Sequence, residues 1–404
     1  MPWQAPVAPV AVDTMGGDHA PEAVVAGAVA AVRDHGVRLV LVGQAPRIRD
    51  LLERHGAAGV IPIVNAEEAL EMDEGALASW RKPRSSIAIA CRLIKQGRAS
   101  ALVSAGSTAG IVATARLRLR GQHGVMRPAI AVTLPTRPRP TVLLDAGATV
   151  DPKPETLAQF AGLGVAYAQV ALGVARPRLG LLNIGSEPGK GNKLARRAYE
   201  LLSASPPSLR AAVPGEKSPP GAEFIGNLEG DDLLRGLVDV IVTDGFSGNV
   251  ALKTMEGAVR MMAAEVRAAV GSTRRAKLGA ALQRRPLREM RERFSSDTYG
   301  GGVLLGLNGT VVIAHGASNA LAITSACRLA HQLATGQIVE RIRDQVVGPR
   351  TSRFGRRNSG DQSRPGTERT DETRGSEERI AEPFVPKEDL PDAGETPAPP
   401  PANK

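Results

Sequence analysis

The stretch LGLLNIGSEPGKGNKLARRAYELL, residues 179–202, reads as strand, loop and helix. Its apolar run over 179–184 has the length of a buried strand. The Gly, Ser and Pro residues that follow force a turn, and Asn192 opens a helical pattern. A strand end therefore hands a polar loop to a helix start. There the free backbone N–H groups and the positive helix end favour an anion, and Lys190 adds a full charge. Three residues separate Gly185 from Gly189, and Gly191 follows Lys190, so the spacing is not that of a Walker loop. The chain also lacks a GxGxxG fingerprint, a GxSxG elbow and an HExxH pair.

The same order recurs along the chain. An apolar run at 10–13 leads into MGGDHAP (15–21) and a helical pattern at 22–32. A second at 101–103 leads into SAGSTAG (104–110) and a helix expected from Ile111. A third at 142–144 leads into DAGATVDPKPE (145–155) and a helix from Thr156, and a fourth at 238–242 into TDGFSGN (243–249) and a helix from about Val250. Repeated strand, loop and helix argue for an α/β fold with a mostly parallel sheet covered by helices. Ligands of such sheets sit beyond the carboxyl ends of the strands, so these loops are expected to share one cleft.

Composition bounds the rest. The 404 residues allow one large unit or two lobes, and with aromatics at 3% the core must rest on Ala, Val, Leu and Ile. Cys91 and Cys327 lie far apart, without the spacing of a disulfide framework or a zinc site, and are expected as reduced core thiols. No signal peptide is read in MPWQAPVAPVAV. The uncharged stretches 156–175 and 298–327 raise the question of a membrane span. Their glycines and polar residues suit buried α/β elements better.

The formal charge of +10 is unevenly placed. Residues 351–404 hold 9 Lys or Arg against 11 Asp or Glu, with eight prolines, and read as a disordered, Pro-rich acidic tail from about 349. Residues 258–293 hold 10 basic against 3 acidic residues, with Val259, Met262, Val266, Leu278, Leu282 and Met290 among apolar positions at helical spacing. One basic, partly amphipathic helical element is expected there, suited to anionic lipid or an acidic protein. Nucleic acid is the least favoured partner, because no aromatics interleave the charges.

The quoted loops, together with LLDAGATVDPKPETLAQFAGLG (143–164), LLNIGSEPGKGN (181–192), FIGNLEG (224–230), DGFSGNVALKTMEG (244–257), YGGGVLLGLNG (299–309) and the His315-Gly316 pair, resemble in order the bacterial phosphate acyltransferases of the PlsX type. The resemblance spans about residues 9–335. It implies a three-layer α/β/α fold similar to isocitrate and isopropylmalate dehydrogenases and to phosphotransacetylases. In that arrangement one catalytic unit, 1–348, has two lobes (about 1–130 plus 295–348, and 131–294). It implies transfer of an acyl chain from acyl carrier protein to inorganic phosphate, giving acyl phosphate for phospholipid synthesis by a membrane glycerol-3-phosphate acyltransferase. A homodimer, cytoplasmic and peripherally bound to the membrane, without metal or organic cofactor, is further implied. The chain departs from the family pattern at SAGSTAG, at Ser100, and in a longer Pro-rich connection at 206–221.

Phosphate is already an ionised nucleophile near neutral pH, so attack on a thioester needs orientation and oxyanion donors rather than an activated Ser or Cys. One such donor is worth about 3 kcal/mol. Lys190 and Asn192, with Ser104, Ser107 and Thr108, are expected to bind phosphate or the oxyanion. Asp13 and Asp18 are expected to orient neighbours beside His19, and His315 to exchange the thiol proton. Asn183, Asn227, Asp244, Asn249 and Lys253 complete the expected cleft, with Asp145 as a loop brace. Three other readings remain open: an acyl-CoA phosphotransacetylase, a non-catalytic basic module acting through 258–293, and a dehydrogenase of the related fold.

Overall fold

Period-two alternation of side chains explains how short apolar strands serve two layers at once. Val10 and Val12 of β1 (Val10–Asp13) face one helical layer while Ala11 faces the other, and all three are fully buried. The computed structural model describes residues 7–71, 74, 77–204, 221–294 and 299–347. All of the expected Pro-rich connection except Gly221, and the whole acidic tail, lie outside the described residues.

The other strands are β2 (Leu39–Gly43), β3 (Ile63–Asn65), β4 (Ala101–Ser104), β5 (Ala129–Leu134), β6 (Thr141–Leu144), β7 (Arg178–Leu182), β8 (Glu223–Leu228), β9 (Val240–Val242), β10 (Gly302–Leu305) and β11 (Thr310–Ile313). They form one sheet in the order β3-β2-β1-β4-β11-β10-β5-β6-β9-β7-β8. Five strands from β3 to β11 run parallel. The antiparallel pairings of β10 with β11, β10 with β5, and β5 with β6 then reverse the direction, and β6, β9, β7 and β8 run parallel to one another the opposite way.

One layer holds α1 (Glu22–His35), α2 (Ala45–Arg54), α6 (Pro154–Ala171), α7 (Lys193–Ser203), α11 (Ala320–Thr335) and α12 (Ile338–Val347). The other holds α4 (Ser86–Lys95) and α5 (Thr108–Leu119), followed by the first turns of α8 (Gly245–Gly271). A single turn, α3 (Ala78–Arg81), precedes α4. The uncharged stretch 156–175 is accounted for by α6, whose Phe160, Leu163 and Tyr167 are fully buried. These rings are fully buried in a core otherwise built from aliphatic side chains, and the Tyr167 hydroxyl meets Thr133 Oγ1 at 3.3 Å. Cys91 and Cys327 are buried thiols, pushed up to about 12 by burial.

Three helices start earlier than their apolar pattern predicts: α5 at Thr108, α6 at Pro154 and α8 at Gly245. Polar, proline and glycine residues form their first turns, which apolar periodicity does not register; Asp244 caps α8 and Pro154 opens α6, while α5 starts without a side-chain cap. The expected basic element is also divided. It comprises the outer part of α8, then α9 (Arg274–Leu282), whose first turn is capped by Thr273 accepting from the Ala276 N–H, and α10 (Arg284–Phe294). Neither α9 nor α10 buries a residue. No helix among the described residues is long and apolar enough to cross a membrane.

Candidate active site

The 183–192 loop is held at two points by asparagine amides from adjacent strands. Asn183 Nδ2, just beyond β7, donates to the Lys190 carbonyl at 3.0 Å, and Asn227 Nδ2, on β8, donates to the Glu187 carbonyl at 2.9 Å. Gly191 sits at φ +87°, and a Cβ there would collide with the Asn183 side chain, so glycine is required where the loop closes on its clamp. Asn192 caps α7 by accepting from the Ala195 N–H at 2.8 Å. Lys190 is left exposed at the tip, with Glu187 Oε2 at 3.9 Å from its Nζ. The loop thus presents a cation beside a helix start, as its sequence predicts.

Beside this loop opens a cleft of about 520 Å³. Its floor is apolar, with Leu157, Leu182, Leu194 and Leu233 among the lining residues, and Ile184 stands at its edge 82% exposed. Asp244 and Glu229 also line it. Each is engaged at a helix start: Asp244 Oδ1 accepts from the Ser247 N–H at 2.8 Å, and Glu229 forms a capping box with Asp232 at the 3₁₀ turn Gly230–Leu234. Glu229, Ser247 and Leu233 were not singled out from the sequence. Glu229 lies inside FIGNLEG, but Glu is not one of the usual N-cap residues, so no cap signal before 230–234 stood in the sequence.

A second group gathers where β1, β4 and β11 end. Asp13 is 1% exposed and is the centre of a latch. Its Oδ2 accepts from Ser104 Oγ at 2.7 Å, its Oδ1 from the Met15 N–H at 3.0 Å, and Ser86 adds a further side-chain hydrogen bond. Ser104 Oγ in turn accepts from the Gly106 N–H at 3.2 Å. A Cβ at Gly16 would lie 2.7 Å from both Asp13 Oδ2 and Gly106 N, so the two loops touch backbone to backbone. Burial raises the Asp13 carboxyl above its usual range, against the lowering effect of these hydrogen bonds. Asp18 N–H donates to the Gly316 carbonyl at 2.8 Å and ties the third loop in. Asp18, His19, Thr108 and His315 are exposed around this latch and Ser107 is half-buried. Ser107 holds the N-cap position of α5 without a side-chain cap bond, which leaves its hydroxyl uncommitted there. His315 Nδ1 accepts from the Ala317 N–H at 3.2 Å.

The chain therefore brings the expected residues together in two groups, not in one cleft. The β1, β4 and β11 ends leave one edge of the sheet, and the β6, β7 and β9 ends leave the opposite edge. Six strand steps separate β4 from β7, about 29 Å at about 4.8 Å each. The reversal at β10-β5-β6 is the cause, and no local motif announces it.

Two other expected residues point away from the cleft. Asp244, Ser247 and Ala251 line it, so Lys253, nine residues on from Asp244, lies half a turn round α8. Lys253 pairs with Glu256 at 3.0 Å. Asn249 donates to the Ala146 carbonyl at 3.1 Å and braces the loop after β6. Asp145, fully buried, organises that same loop: Oδ1 accepts from Ile130, Gly147 and Ala148 N–H groups and Oδ2 from Thr149 N–H at 2.6 Å. Among the described residues no three His, Cys, Asp or Glu side chains gather as a metal-ligand set.

The fold is that of the phosphotransacetylases. A phosphotransacetylase from Streptococcus pyogenes superposes with a TM-score of 0.53 at 21% identity, covering 82% of this chain and 94% of that one. The EutD phosphotransacetylase from Staphylococcus aureus gives 0.52 at 16% identity, over 81% and 94%. Sequence is more specific. Residues 8–341 match the family model described as fatty acid synthesis protein. A phosphate acyltransferase of Thermobifida fusca is 61% identical over 345 residues, 85% of this chain and 93% of the relative. Those of Gloeobacter violaceus and Thermus thermophilus are 43% and 42% identical, over 86% and 83% of this chain and 99% and 98% of theirs. The chain belongs to the phosphate acyltransferase family and is an enzyme of that type.

Proposed function

We propose that this enzyme transfers a fatty acyl chain from the thiol of acyl carrier protein to inorganic phosphate. Phosphate oxygen attacks the thioester carbonyl, a tetrahedral oxyanion forms, and the carbon–sulfur bond breaks to leave acyl phosphate and the carrier thiol. The Lys190 loop carries this reading: an exposed cation at a helix start, clamped by Asn183 and Asn227, is a preorganised site for the anionic nucleophile or the oxyanion. Asn192 supports it by fixing α7, while Asp13 acts through Ser104 as a positioning residue of the opposite edge.

Pairing of two copies as a homodimer would let the Lys190 loop of one protomer face the His315 edge of its partner, giving His315, Ser107 and Thr108 access to the leaving thiol. Mixing inactive Lys190→Ala and His315→Gln chains tests this: restored turnover supports a shared site, and a mixture as inactive as either variant alone rejects it.

The product suits use by a membrane glycerol-3-phosphate acyltransferase, and the outer helices favour peripheral contact with an anionic surface in the cytoplasm. Met261, Met262, Leu278 and Leu282 are exposed there among basic residues. The deciding experiment is phosphate-dependent release of thiol from long-chain acyl carrier protein with detection of acyl phosphate, run beside the corresponding acyl-CoA. Thiol release without phosphate would be hydrolysis and would refute the assignment, and faster turnover of acyl-CoA would replace the donor.

A further inference from the structure

We propose that the 520 Å³ cleft beside the Lys190 loop seats the fatty acyl chain, with the tail on the apolar floor and the carbonyl at the Gly191–Asn192 edge. This rests on the phosphate acyltransferase reading and adds to it the place of the hydrophobic half of the substrate.

Three observations carry it. Leu157, Leu182, Leu194, Leu233 and Ala251 converge on the cleft from α6, β7, α7, the 3₁₀ turn and α8, so its apolar character is assembled by the fold rather than by one helix face. A volume of this size is ordinary for a small-molecule site. Ile184, 82% exposed at the edge, is a large apolar side chain left in water where a chain would enter.

The charges then decide which part of the substrate enters. Asp244 and Glu229 are the acidic groups that line the cleft, and both serve as acceptors at helix starts. Two carboxylates repel inorganic phosphate and a fatty carboxylate alike, whereas an uncharged hydrocarbon is indifferent to them. Lys190 lies outside the lining, across Gly191. Phosphate is therefore held on the loop and the chain in the cleft, and they meet where the loop joins α7. Because each buried methylene contributes about 0.8 kcal/mol, affinity should rise about fourfold per methylene until the floor is filled.

The test is calorimetric titration of the full chain with S-alkyl pantetheine thioethers from butyl to tetradecyl, which bind but cannot react. The wild-type protein is expected to show the fourfold gradient. Ala251→Phe, which fills the cleft, should flatten it, and Ile184→Ser should weaken the longer ligands. Ile184 is exposed enough for the fold to survive, so it decides alone if circular dichroism shows Ala251→Phe unfolded. No gradient in the wild type, or a gradient unchanged in Ile184→Ser or in folded Ala251→Phe, overturns the proposal. A gradient without acyl phosphate formation would keep the seat and reject the catalytic reading; acyl phosphate without a gradient would do the reverse.

Discussion

Replacing Asn227 with Ala should reduce kcat/KM about fivefold in a protein that remains as stable as the wild type. Asn227 is 8% exposed, and its Nδ2 makes one hydrogen bond, 2.9 Å to the Glu187 carbonyl. Its Oδ1 is buried without a partner among the described residues. The hydrogen bond contributes about 1 kcal/mol and the unpaired acceptor costs about as much, so removing both leaves global stability nearly unchanged. The loop, however, loses one of its two clamps. About 1 kcal/mol corresponds to about a fivefold fall in the ratio of clamped to open turn, and Lys190 is presented by that turn. Lys190→Ala removes the cation itself and should cost about a hundredfold or more. Asn227→Asp is isosteric but cannot donate, so it should fall with Asn227→Ala rather than with the wild type. The assay is phosphate-dependent acyl phosphate formation with phosphate varied, beside urea unfolding. An Asn227→Ala enzyme with wild-type kcat and phosphate KM, or a Lys190→Ala enzyme within threefold of wild type, would refute the role of the loop.

Other outcomes follow from the same contacts. Asp145→Asn keeps three accepted hydrogen bonds on Oδ1 but sets an NH₂ against the Thr149 N–H, and should destabilise by about 1–3 kcal/mol in urea unfolding. Phe160→Ala, emptying a fully buried site in α6, should cost about 3–5 kcal/mol in the same measurement. Burial raises the Asp13 carboxyl in the folded state above its unfolded value of 3.8. Its contribution to stability is therefore fully present below that value and lost as pH rises through the folded pKa. Asp13→Asn should remove this component from the pH dependence of the urea midpoint. Neutralising Arg284, Arg285, Arg288 and Arg291 on α10, none of which meets the core, should abolish sedimentation with anionic vesicles while leaving acyl phosphate formation in solution within about twofold. Loss of both together would make α10 part of the reaction site.

Much of the local structure of this protein was legible along the chain. The strand, glycine loop and helix of 179–202, the cap at Asn192, the buried α6 and the basic run at 258–293 follow from apolar period, turn chemistry and charge, which act over a few residues; the strand expected to reach 184 ends at Leu182 and leaves Ile184 exposed. The duties of Asn183 and Asn227 were not legible, because a clamp exists only once β7 and β8 lie side by side. Asp13 and Asp145 look alike at two strand ends, yet one accepts from hydroxyls of two other elements and the other from the N–H groups of its own loop and Ile130. Above all, the gathering of glycine loops into two groups depends on the antiparallel strands β10 and β5 in the middle of the sheet. Strand direction is set by which edges pair after the chain has crossed the molecule. That pairing is settled by packing between residues far apart in sequence, and only the tertiary structure decides it.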